Sequence, residues 1–266
     1  MLFKQWNNFT EPRHHLDAPI DERDELDSLK IEPFPQVSLA KSIDFSDFKR
    51  LIIVGKTLEP LFPRNLVARR EVSGFKITWH TEINESQKFR EDFQSEEIAG
   101  SMRAEHTLEL PIESFGQDSL ILCIHENFLR VSPIVWNILG FEIAKYCSGL
   151  ELLVLGTADT IQEIKSLGLP AYDANLPTLI PPEFITSFTA SILTQLIVLK
   201  VPFQALIAPS EGPSGFEKLR LTTMDQLIDL CWPLSQTHAR DDYAKACHRH
   251  WKLNGTAMGA QAGLYV

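Results

Sequence analysis

The sequence predicts an α/β fold, a layered sandwich around a central, at least partly parallel sheet, with an extended N-terminal arm and a flexible C-terminal tail. Three observations lead there. Short apolar runs of strand length alternate with helix-length amphipathic segments through the second half of the chain, which favours βα connections and parallel pairing. The first 45 residues hold four prolines (Pro12, Pro19, Pro33 and Pro35) and the acidic run Asp21 to Glu25, so they read as an arm. The last stretch, Leu253 to Gly263, is rich in glycine and alanine and has little side chain to pack.

The expected domains are thus an arm over 1–45, an α/β body over 46–252 and a docking tail over 253–266. The body opens with Leu51-Ile52-Ile53-Val54, an apolar, β-branched run suited to a buried strand. Further strands are expected at Val72 to Trp79, Leu108 to Ile112, Leu120 to Ile124, Leu150 to Leu155 and Phe203 to Ala208. The charged stretch Glu82 to Glu105 reads as a surface excursion. Helices are expected at Ile134 to Tyr146, at Glu183 to Leu199 after Pro181-Pro182, at Met224 to Trp232 and at Asp241 to Lys252.

Composition narrows the function classes. With 44% hydrophobic and 23% charged residues the chain can bury a sizeable core. Its net charge of -10 repels a phosphate backbone, which argues against nucleic acid. No apolar stretch has membrane-spanning length, and Met1 to Trp6 lacks a signal-peptide core, so a cytosolic or nuclear location is expected. Cys123, Cys147, Cys231 and Cys247 are scattered and read as reduced thiols.

Motifs that could carry chemistry fall short of their physical requirements. Gly55-Lys56-Thr57 resembles the end of a phosphate-binding loop, but Arg50 stands where the first glycine is needed. Ser214, in Gly212-Pro213-Ser214-Gly215, lacks the G-x-S-x-G elbow. Cys247, His248 and His250, and the pair Cys123 and His125, lack zinc-site spacings; His14-His15 read as solvated. Neither a metal nor a cofactor is expected. An α/β enzyme with its site at the strand ends near Gly156-Thr157 or Ser210 remains the rival reading, without a recognisable catalytic set. A third is a scaffold whose terminus is captured by a peptide-binding domain.

The chain end stands apart. Leu264-Tyr265-Val266, a hydrophobic residue, a tyrosine and a last residue with a free carboxylate, follows the pattern with which proteasome activators and chaperones enter pockets between α-ring subunits. Five stretches, Met1 to Asn7, Leu61 to Leu66, Pro181 to Thr186, Ala208 to Pro213 and Gly259-Ala260-Gln261, resemble the fungal proteasome assembly chaperone 1 family. Pro111 to Gly116, Glu126 to Phe128 and Ser132 to Ile134 extend the likeness, while Glu11 to Ile43, Glu82 to Glu105 and Thr157 to Thr178 match poorly. The resemblance implies a non-catalytic α/β chaperone. Such a chaperone pairs with a second, similarly folded subunit, sits on the α-ring of the immature core particle, aids its assembly and holds off regulatory particles. Leu264, Tyr265 and Val266 fall on the family's docking motif.

Overall fold

The computed structural model describes residues 34–83, 102–125, 133–168, 172–173, 175–212, 216–235 and 239–257. Within them lie strands β1 (Gln36–Leu39), β2 (Arg50–Gly55), β3 (Arg69–Ile83), β4 (Met102–Phe115), β5 (Ser119–Ile124), β6 (Glu151–Ala158), β7 (Lys165–Gly168) and β8 (Phe203–Pro209). They form one sheet in the order β1-β3-β4-β5-β2-β6-β8-β7. Strands β5, β2, β6 and β8 run parallel at its centre. Strands β4, β3 and β1 extend one side antiparallel, and β7 closes the other as an antiparallel edge. Four helices flank it: α1 (Pro133–Tyr146), α2 (Ser187–Val198), α3 (Leu221–Ser235) and α4 (Arg240–Asn254). The α/β sandwich expected from sequence is the fold observed.

The central strands are apolar without alternation because both faces of the sheet are covered. Leu51 and Ile53 of β2 point to one layer, with Leu120, Leu122, Leu152, Val154, Ala205 and Ile207, under Trp136, Leu139 and Ile143 of α1 and Ile192 and Leu196 of α2. Ile52 and Val54 point to the other, with Ile121, Leu153, Leu155 and Leu206, under Met224, Leu227 and Cys231 of α3 and Tyr243, Cys247 and Trp251 of α4. Each fully buried Leu or Ile contributes about 2 kcal/mol by leaving water. Trp251, fully buried, also donates its indole N–H to the Thr57 carbonyl at 2.8 Å. That bond fixes α4 to the turn after β2.

Several expected boundaries move. Gln36–Leu39, read as part of the arm, pairs with β3, and its Val37 and Leu39 pack on the first core layer while Gln36 and Ser38 stay exposed. The supposed excursion over Glu82 to Glu105 is partly strand, because β3 runs on to Ile83 and β4 starts at Met102; residues 84–101 lie outside the described ones. Lys165–Gly168 is a strand the sequence did not signal. Helix α2 starts at Ser187 and not at Glu183. Glu183 instead accepts the Ile180 backbone N–H at 2.8 Å and the Lys165 ammonium at 3.0 Å, and the Phe184 N–H donates to Thr160 Oγ1. Helix α4 extends through Leu253 and Asn254, read as tail, and ends at Gly255, whose φ of 69° suits a left-handed cap. The Leu219 N–H then donates to the Thr256 carbonyl at 2.9 Å, and Ala257 bridges Leu219 in parallel.

Candidate functional site

The parallel strands all end on one edge of the sheet, where α/β proteins form their ligand crevices. Here the crevice is filled from above by the start of α2. A Cβ on Gly55 would come within 3.0 Å of the Phe188 ring, and one on Gly156 would collide with Thr189. What remains beside Gly55, Lys56, Thr57, Gly156, Thr157 and Glu217 is a cavity of about 40 Å³, space for a few waters. Thr57 donates its hydroxyl to Glu217 at 3.3 Å, so a phosphate placed on Gly55-Lys56-Thr57 would meet a carboxylate.

A second cavity of about 270 Å³ lies between the ends of β6 and β8, lined by Asp159, Glu163, Ser210, Glu211, Lys218 and Arg220 among others. Two of its acids are already paired: Glu211 with Arg220 in the lining, and Glu163 with Lys165 of β7 outside it. Ser210 is buried, and among the described residues no histidine lines this cavity to activate it. Ser214 lies outside the described residues.

Below the turn after β2, Arg69 is the centre of an ion cluster. Its side chain is 1% exposed, and Nη1 reaches Glu59 at 3.4 Å and Glu113 at 3.2 Å while Nη2 donates to the Phe62 carbonyl. Arg64 adds a bond to Glu113 at 3.1 Å, and His125 Nε2 meets Glu59 at 2.9 Å. Burial would raise the Glu59 carboxyl, but the hydrogen bond and charge of His125, with Arg69 and Arg64 nearby, hold it below its ordinary value.

Glu59, Cys123 and His125 place one donor atom each within 4.8 Å of one another, the spacing of a metal site. The donor chemistry does not fit one. Arg69 Nη1 stands 3.6 Å from Cys123 Sγ, a fixed cation where an ion would bind. Burial pushes the Cys123 thiol up to about 12, against the thiolate a metal needs. The other cysteines are free and buried too, and burial likewise raises Cys147 and Cys247 to about 12. Helix α4 separates its candidates: Cys247 faces the core, His248 contacts Asp225 of α3 at 2.9 Å, and His250 lines a cavity with Glu59, Arg64 and Arg69.

The tail is positioned at its root. Ala257 is held against Leu219, beside Lys218 and Arg220, at the strand-end edge of the sheet on the α3–α4 side. Leu264, Tyr265 and Val266 lie outside the described residues. Among the described residues, no helix is long and apolar enough to cross a membrane.

A family model described as "POC1 chaperone" matches residues 1–266. Proteasome chaperone 1 of Saccharomyces cerevisiae (strain ATCC 204508 / S288c) is 37% identical over 286 residues, covering 100% of both chains. Among solved structures, Pyrococcus furiosus PbaA, an archaeal homolog of proteasome-assembly chaperone, superposes with a TM-score of 0.50 at 11% identity. That match covers 80% of this chain and 87% of PbaA, and it concerns the fold alone. Sequence likeness along the entire length makes this chain a member of the POC1 chaperone family.

Proposed function

We propose that the chain is a proteasome assembly chaperone subunit, working in the cytosol or nucleus without catalysis. It pairs with a second chaperone subunit and binds the α-ring of the immature core particle through Leu264-Tyr265-Val266. There it aids α-ring assembly and blocks premature binding of regulatory particles. The observation that carries this is the end-to-end match to the family model and to a curated proteasome chaperone. The crevice filled at Gly156 by Thr189, and a cavity at Ser210 that no histidine lines among the described residues, weigh against the enzyme reading.

The docking follows from the chemistry of the last three residues. A carboxylate on Val266 accepts a charge-assisted hydrogen bond from a lysine in the receptor pocket, worth about 1.5 to 3 kcal/mol. Leu264 buries apolar surface, and Tyr265 adds ring packing and a hydroxyl. The folded body holds the chain to Ala257, so the tether to Val266 is the nine residues 258–266. Extended, it reaches roughly 30 Å. A short tether keeps the effective concentration of the terminus high once the body touches the ring.

The test is reconstitution: full-length chain, co-expressed with the second chaperone subunit of the same organism, is mixed with immature and mature core particles. The proposal expects α-subunits in the pulled-down complex and a preference for immature particles. Absence of α-subunits from the complex contradicts it.

A further inference from the structure

The start of α3 leaves hydrogen-bond donors that the fold does not answer. Met224 is the first residue whose N–H closes a helical turn, on the Arg220 carbonyl at 3.0 Å, so the N–H groups of Leu221, Thr222 and Thr223 stand outside the helical ladder. Arg220, just ahead of the helix, carries donors only and cannot cap them, and the first turn holds no acid. Through Thr222, Thr223 and Gln226, this end of α3 lines the cavity of about 270 Å³ at the ends of β6 and β8.

Two hydroxyls line the same cavity. Ser210 is 7% exposed and Thr223 5%, and neither side chain has a hydrogen-bond partner among the described residues. Ser210 is fixed by the sheet, because its own N–H donates to the Ala158 carbonyl at 3.0 Å. Hydroxyls withdrawn this far from water ordinarily find an acceptor, since leaving them unmet costs free energy. The cavity thus gathers five donors, three backbone N–H groups and two hydroxyls, on its inner side.

The charges of the lining decide what can meet them. Of its three carboxylates, Glu211 is taken by Arg220, and Glu163 by Lys165 at 3.1 Å, a lysine that Glu183 shares. The third, Asp159, is exposed and accepts from none of the five donors. On a chain with a net charge of -10, long-range attraction does not draw an anion here; directed short-range donors must hold it. A helix N-terminus with its positive dipole end, two hydroxyls and the Arg220 guanidinium form the donor set that a tetrahedral oxyanion accepts from. Among the described residues no aromatic side chain lines the cavity, so a nucleotide base finds nothing to stack on.

We propose that the cavity between the ends of β6 and β8 binds a soluble oxyanion of the phosphate class, held by the N-terminus of α3, the Ser210 and Thr223 hydroxyls and Arg220.

The experiment is calorimetric titration of inorganic phosphate, at constant ionic strength against chloride, into full-length chain co-expressed with the second chaperone subunit. Saturable binding at one site per chain is expected. Ser210→Ala and Thr223→Val should each weaken it about tenfold, the loss of one hydrogen bond to a charged group. Lys56→Gln, at the turn after β2, should leave it unchanged. Thermal melting without phosphate checks that the variants fold. Phosphate heats no different from chloride would show that water alone fills the cavity and would overturn the assignment. So would binding that survives both hydroxyl variants, or binding lost in Lys56→Gln alone. Phosphate that binds only after deletion of Leu264-Tyr265-Val266 would give the site to the chain's own carboxylate and equally overturn it.

Discussion

Arg69 shows at the scale of one residue why this edge of the sheet is structural. Its guanidinium is withdrawn from water, and Nη1 and Nη2 are answered by Glu59, Glu113 and the Phe62 carbonyl, which offsets the cost of burying a cation, while Nε has no partner among the described residues. Arg69→Met should therefore destabilise the fold by about 3 kcal/mol, read from urea unfolding, since it leaves two carboxylates without their common cation. A loss below about 1 kcal/mol would mean that the cluster is water-screened. Acid adds a second expectation. A carboxyl held below its ordinary value contributes stability above that value and loses it as the pH falls through its folded pKa. Stability should thus decline on acidification through the carboxylate range, and Glu59→Gln should make that decline shallower. The cluster was not legible in sequence, because although Glu59 is only 10 residues from Arg69, Glu113 is separated from it by 44 and Cys123 by 54. The sequence did offer Cys123 and His125 as a pair, but Glu59 and Arg69 come to them only through the fold.

At the scale of elements, the start of α2 decides what the strand ends can do. Gly156→Ala would drive a methyl group into Thr189 and should cost about 1 to 3 kcal/mol, seen as a lower melting temperature. An unchanged melting temperature would mean the crevice has room for a ligand after all. The central strands were legible because burial on both faces writes itself as continuous apolar runs such as Leu51 to Val54 and Leu120 to Ile124. The β3–β4 hairpin was only half legible. One face, with Phe75, Ile77, Leu108 and Leu110, packs on the core, while Lys76 and Glu109 stand on the other, so the strands look polar where they continue. The start of α2 was misplaced for a different reason: Pro181-Pro182 resembles a helix opening, but Lys165 and Thr160 engage Glu183 and Phe184 in a turn before Ser187.

At the scale of the whole molecule, helices cover both faces of an open eight-stranded sheet, and the root of the tail is held at Ala257 against Leu219. On the proposed pairing, the chain made alone leaves apolar side chains such as Val198 and Phe216 in water, so it should aggregate or melt early and improve when the second chaperone subunit is co-expressed. Size-exclusion chromatography showing a stable monomer with no gain from the partner would oppose this. Native protein should also carry neither metal nor nucleotide, because Arg69 occupies the metal-like cluster and Glu217 faces the phosphate-like turn. Stoichiometric zinc by elemental analysis, or nucleotide released on denaturation, would refute it. The family was legible from end to end in short matched stretches, and the comparison with known chaperones agrees. The start of the tail was placed too early, because nothing in Leu253 to Ala257 announced that α4 runs on to Asn254 and that Ala257 is held to Leu219. The most direct measurement is the dissociation rate of the chaperone pair from purified immature core particles, for intact chain, for a deletion of Leu264-Tyr265-Val266 and for one extra residue after Val266. The account predicts that both changes speed dissociation about tenfold or more, because the extension displaces the carboxylate from its donor while keeping every side chain. Dissociation unchanged in both would show that the terminus is not what holds the chaperone to the ring.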